Sequence, residues 1–188
     1  FIRLSPGRVR VIGDWTGTLA LSLRGAGAEV DEHDAASLDE ERPLDGGPYD
    51  LIVSLGSLDR VNDLPGALLH LRNALADDGL MIASFPGAGS LPHLRRAMLA
   101  AEPDRPAARM HPLIDNQAAA GLLQRALFKR QVVDSHTLTV SFGGLHRLVS
   151  DLRDQGLGSV LASAAPPLGK AALERAEHAF MKQANNKG

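Results

Sequence analysis

The chain predicts a three-layer α/β sandwich on a mostly parallel sheet that ends in one antiparallel strand. Short apolar runs alternate with stretches whose apolar residues recur at three- and four-residue spacing. The run YDLIVSLG (49–56) is apolar nearly throughout, as in a parallel strand buried on both faces. KRQVVDSH (129–136) and TLTVSF (137–142) follow one another with no helix between them, as antiparallel neighbours do. At 188 residues the chain has the size of one ordinary domain. One compact unit over 1–188 is expected, with 144–188 as a C-terminal helical part.

The elements follow in order. Alternation and β-branching in VRVIG give a strand at Val9–Gly13. Leu19 and Leu23 mark a helix from Thr16 to Arg24, closed by Gly25 and Gly27. AEVDEHD (28–34) is a short strand, and the run from Tyr49 is the next. Asp63 caps a helix whose stripe is Leu64, Ala67, Leu68, Leu71 and Leu75. ADDGLMIASF (76–85) is a turn and a buried strand. Ser90-Leu91-Pro92 opens a helix to about Ala101, and EPDRPAARMHP (102–112) is a loop. Asp115–Leu127 is helical, the antiparallel pair comes next, and helices over about Gly144–Gln155 and Gly169–Gln183 close the chain around the linker ASAAPPLG.

Composition narrows the function. With 20 Lys+Arg against 22 Asp+Glu and a net charge of -2, no basic excess points to nucleic acid. Cys is absent, which removes disulfides, thiolate metal sites and a cysteine nucleophile and suits a reducing cytoplasm. No run approaches the ~20 apolar residues of a spanning helix, and no signal peptide opens the chain. The chain starts on Phe1, not Met, so a preceding segment, removed or disordered, is expected. The seven His are scattered singly, so no metal site is expected. No nucleophile elbow, phosphate-binding lysine loop or His-Glu-x-x-His motif occurs.

From Tyr49 to Phe85, YDLIVSLGSLDRVNDLPGALLHLRNALADDGLMIASF resembles the class I S-adenosylmethionine (SAM) methyltransferases, with their Rossmann-like sheet. Within that superfamily the chain is similar to the group of the biotin-synthesis malonyl-carrier-protein methyltransferase and the mitochondrial complex I assembly factor that hydroxylates an arginine. The likeness extends through DEERPL, VNDLPGAL, GSLPHLRRAM, AEPDRPAARMHPLID, LLQRALF and LTVSFGGLHRLVSDLRDQG, and so covers nearly the whole chain.

The resemblance implies a cofactor site. Gly13, Asp14, Trp15 and Gly17 replace the family's glycine loop, with Ile12 where an acid is usual and Trp15 in the place of the middle glycine. Trp15 reads as local core or as a plug of the pocket; the alternative is a stacking wall for a bound ligand. Asp34 matches the acid that takes the ribose hydroxyls, and Asp39 and Glu40 match the acid that meets adenine. The alternative reading of Asp34 is a simple turn or cap. Gly56 and Ser57 lie at the carboxyl end of a strand, where open α/β sheets bind ligands. Asp59-Arg60 stands in place of the family's His-Trp pair. The chain passes from Asp34 to Asp39 in about five steps of at most ~3.6 Å, too short for the family's intervening helix and third strand. That edge strand is therefore expected to be missing.

Arg105, Arg109 and His111 face the substrate in this reading: two guanidiniums fork an anionic group and an imidazole serves as acid or base. The alternative is that the arginines pair with Glu102 and Asp104. The expected function is SAM-dependent methyl transfer to an acidic carrier or protein, with SAM bound weakly or lost. The alternative is a non-catalytic assembly or scaffolding factor on the same fold, and a third option is arginine hydroxylation.

Overall fold

A computed structural model of the chain describes residues 7–35, 39–104, 106–154 and 165–184. The chain groups into two compact units. The first comprises Phe1–Gly87 and Ile114–Asp134, the second Ala88–Leu113 and Ser135–Gly188. The division reflects separate cores.

The first unit holds strands β1 (Arg8–Ile12), β2 (Glu29–His33), β3 (Tyr49–Leu55) and β4 (Leu75–Ser84), with helices α1 (Thr18–Gly25), α2 (Leu64–Ala74) and α4 (Asn116–Arg125). The strands form one sheet in the order β2-β1-β3-β4, every pair parallel. Side chains of a strand alternate between faces, and the core divides accordingly. Val9, Val11, Leu51 and Val53 pack with Ala20, Leu19 and Leu23 of α1. Ile12 and Ile52 pack with Leu68, Leu71 and Ala74 of α2 and Leu122 of α4. Helices thus cover both faces, and the three-layer sandwich is as expected.

Two helix starts follow their sequence signals. Asp63 accepts from the Gly66 N–H at 3.0 Å, and Asp115 accepts from the Ala118 N–H at 2.7 Å. Each satisfies a first-turn donor that the helix itself leaves open. The α2 stripe buries Ala67, Leu68, Leu71 and Ala74.

The sheet of the described residues ends on β2 at one edge and on β4 at the other. At the first, among the described residues, β2 has no further neighbour, in keeping with the short Asp34–Asp39 connection. At the other, the expected antiparallel strand is corrected: among the described residues, 129–142 contain no strand, and Val132, Leu138 and Val140 are exposed. The backbone gives the reason. Leu127 (φ 63°) and Arg130 (φ 55°) are left-handed non-glycine residues that bend the chain as α4 ends, and alternation alone makes no strand without a ladder to join.

Behind the sheet a polar cluster anchors the connection that leads to β3. Tyr49 is fully buried, with its hydroxyl 2.9 Å from Asp31 Oδ2 and 3.0 Å from Asp45 O. Arg10 donates to Asp45 O at 2.6 Å and lies 5.0 Å from the Tyr49 ring centroid. Burial, and then the bond to Asp31, push the Tyr49 hydroxyl pKa up.

The second unit is helical: α3 (Pro92–Ala101), α5 (Leu145–Asp154) and α6 (Lys170–Ala184). Leu94, Ala97, Ala101, Leu145, Leu148, Ala176 and Phe180 form its core. Arg175 of α6 donates to Ala101 O at the end of α3 at 2.6 Å, a cation on the carbonyls a helix end leaves open. Residues 162–164 of the linker ASAAPPLG lie outside the described residues.

Candidate functional site

Parallel strands bring their carboxyl ends to one side, and in the first unit the loops after β1, β2 and β3 meet there. Gly13 holds them together. Its N–H donates to His33 O at 3.0 Å, and a Cβ on it would come 2.2 Å from Leu55 O and 3.4 Å from the Ala35 side chain. With φ at +78°, the position demands glycine both for backbone conformation and for space.

The loop from Gly13 to Gly17 is tied to itself. The Trp15 N–H donates to Gly13 O and the Gly17 N–H to Asp14 O, both at 3.0 Å. Asp14 Oδ2 accepts from the Ala20 N–H at 2.9 Å, and its Oδ1 accepts from the Thr16 hydroxyl at 3.2 Å. Thr16 Oγ1 takes the Thr18 N–H at 3.2 Å. First-turn donors of α1 are therefore satisfied by the loop's own oxygens. The Ala20 N–H holds the Asp14 carboxyl below the usual carboxylate range.

Trp15 is not local core. It is 59% exposed and belongs to none of the three apolar clusters. Val11 and Ile12 before the loop and Ala20 after it are each essentially inaccessible. Asp34 is exposed just beyond the end of β2. Gly56 follows β3 with φ at +63°, and a Cβ there or on Gly17 would meet nothing within 4 Å. Its N–H donates to Ser84 O at 2.7 Å.

The DEER acids part company. Asp39 is exposed and pairs with Arg42 at 2.9 Å. Glu40 is 4% exposed and accepts a short hydrogen bond from the Ser57 hydroxyl, whose oxygen lies 2.6 Å from Ser54 Oγ. Burial drives the Glu40 pKa up, against the opposing pull of the Ser57 bond. Glu41, which sequence reasoning did not single out, accepts from the Asn62 N–H at 2.5 Å and the Asp63 N–H at 3.3 Å. Arg60 approaches Ala35 O at 3.5 Å. The 39–42 segment is thereby docked on the loop that leads from β3 to α2. The buried network had one sequence signal, Ser54 inside an apolar strand with Ser57 three residues on; its partner Glu40, 17 residues away from Ser57, had none.

Arg109 and His111 belong to the second unit, and Arg105 lies outside the described residues. Arg109 Nε donates to Glu102 Oε2 at 2.8 Å, with both side chains largely shielded (12% and 25% exposed). That bond lowers the Glu102 pKa. His111 Nδ1 lies 3.1 Å from Pro112 O. Among the described residues no helix is long and apolar enough to cross a membrane.

The chain matches the family described as "Methyltransferase domain" over residues 11–130. It is similar to the mitochondrial arginine-hydroxylase NDUFAF5 of Homo sapiens, with 36% identity over 124 residues, covering 64% of this chain and 35% of that protein. The Mus musculus protein of the same name gives 34% over 122 residues, covering 63% and 36%. A malonyl-[acyl-carrier protein] O-methyltransferase of Gallionella capsiferriformans (strain ES-2) gives 28% over 137 residues, covering 72% and 46%. The chain thus spans about a third to a half of the length of these relatives. The match covers most of the chain and contains the strands and loops that build the site: this chain belongs to the methyltransferase domain family.

Proposed function

We propose that the first unit binds S-adenosylmethionine at the carboxyl end of β1–β3 and serves methyl transfer to an acidic carrier or protein partner in a reducing compartment such as the cytoplasm. The observation that carries this reading is the state of the α1 N-terminus. A helix start with open N–H groups favours a phosphate, but here the Asp14 carboxylate and Thr16 hydroxyl already hold those donors. Such a site repels phosphate and suits a nucleoside that carries none. The room above Gly17 and Gly56 and the exposed Asp34 carboxylate fit that class of ligand.

When bound, SAM supplies an electrophilic methyl group on a sulfonium centre. The chain's part is to hold and align: Asp34 offers two acceptor oxygens to a cis-diol, Gly13, Gly17 and Gly56 keep side chains out of the way, and Asp14 keeps the loop in shape. Alignment and water exclusion are the main demands of an in-line displacement. Arg109 and His111, with Arg105, are proposed to meet the anionic partner. The carrier-protein methyltransferase among the relatives supports this assignment. The absent third strand removes the contacts it would have made to the base, so binding is expected to be weak, with Kd above about 100 μM, a free energy weaker than roughly -5.5 kcal/mol.

A second reading, a non-catalytic descendant, is favoured by Glu40, whose carboxyl is turned to Ser57 inside the protein. Calorimetric titration with SAM and S-adenosylhomocysteine tests binding, and transfer of a labelled methyl group to a cell extract separates the readings. Heat from both ligands, with adenosine monophosphate binding more weakly than adenosine, is expected. Preference for the phosphorylated nucleotide would refute the assignment.

A further inference from the structure

We infer that Trp15 is the base-stacking wall of this site and takes the place of the side left open by the absent third strand. The inference rests on the nucleoside reading above and names the residue that holds the base. Trp15 is the chain's single tryptophan, yet it is 59% exposed and belongs to none of the apolar clusters. Tryptophan is a residue that proteins ordinarily bury for the most part, so an indole held in water on a tied loop is a surface left for something to cover.

The loop is fixed on both sides of it. Left-handed glycines at 13 and 17 flank the residue, and the hydrogen bonds of Trp15, Gly17, Asp14 and Thr16 set its backbone. A ligand therefore meets a side chain whose backbone is already fixed, and only the ring's own rotation is left to order. Position supports the same conclusion. Trp15 follows β1, whose neighbour toward the open edge is β2. Adjacent strands lie ~4.8 Å apart, a distance that an indole spans, so the ring has the reach to cover a base whose ribose sits at Asp34. Every base has a π face, and stacking on an aromatic side chain needs no further hydrogen bond.

The test uses the whole chain and its one tryptophan as reporter. S-adenosylhomocysteine is titrated by calorimetry and by Trp15 fluorescence on the same samples, with adenosine and homocysteine as separate probes. The fluorescence change is expected to saturate at the calorimetric Kd, to occur with adenosine and to be absent with homocysteine. Trp15→Ala should weaken binding at least about fivefold, the lower end for loss of one base–aromatic stack, and Trp15→Phe should retain most of the affinity. Circular dichroism checks that both variants fold. Unchanged affinity in Trp15→Ala overturns the inference whatever the fluorescence does, and tighter binding shows that the indole obstructs the site; in both cases the nucleoside reading stands. No heat from S-adenosylhomocysteine in either wild type or Trp15→Ala removes the nucleoside reading, and the wall with it.

Discussion

Substituting alanine at Gly13 and at Gly17 separates two roles that a glycine loop combines. Both residues have positive φ, +78° and +66°. An L-residue in that conformation costs roughly 1–2 kcal/mol. At Gly17 the added methyl meets nothing within 4 Å, so the conformational cost is the whole effect. At Gly13 it would lie 2.2 Å from Leu55 O, a backbone atom of β3 that cannot rotate away. Relief requires the loop to lift from the strand, and the Gly13 N–H to His33 O bond goes with it, worth about 1 kcal/mol. With the lost packing, Gly13→Ala should cost about 3–5 kcal/mol against about 1 for Gly17→Ala. Folded proteins hold only about 5–15 kcal/mol in total, so the first variant should fold poorly and the second well. Urea denaturation followed by far-UV circular dichroism reads the difference. Equal losses at the two positions would refute the claim that Gly13 is required by contact with β3 and not only by its backbone angle.

Glu40→Gln keeps an acceptor for Ser57 and removes a buried charge. Because the folded-state pKa of Glu40 is raised, the folded protein holds that proton more tightly than the unfolded chain, and wild-type stability falls as pH rises from the ordinary value of 4.5 through the folded value. The variant should gain about 1 kcal/mol at neutral pH, with the gain vanishing in acid; thermal melts across pH measure it. Asp14→Asn should act in the opposite sense. The Asp14 pKa is lowered, so its stabilisation is present above the unfolded value and is lost as pH falls through the folded one. The variant should lose about 0.5–1 kcal/mol at neutral pH, and its melting curve should converge on wild type in acid. Arg109→Glu opposes Glu102 with a like charge and makes net negative a loop whose two acids and two arginines balance; capture of an acidic carrier protein in a pull-down should fall, and unchanged capture would remove this loop from the partner site.

What the sequence made legible were the features that local chemistry decides. Asp63 and Asp115 cap α2 and α4 because each carboxyl needs only a backbone N–H three residues on, and the α2 stripe lies where helical spacing puts it. The missing third strand was legible too, since the Asp34–Asp39 connection is too short to hold it. The failures share a cause: each depended on what stands opposite a residue. The alternation in 129–142 resembles a strand, but a strand exists only as a ladder, and left-handed Leu127 and Arg130 direct the chain elsewhere. Glu40 aligned with an acid that faces a ligand, yet its fate was set by Ser57, a neighbour only in the folded chain. Trp15 looked like core because of its size. A side chain's volume does not decide its burial, and the apolar clusters on both faces of the sheet close without Trp15. The exposure that defeated the core reading leaves an aromatic side chain on a tied loop at the carboxyl end of β1.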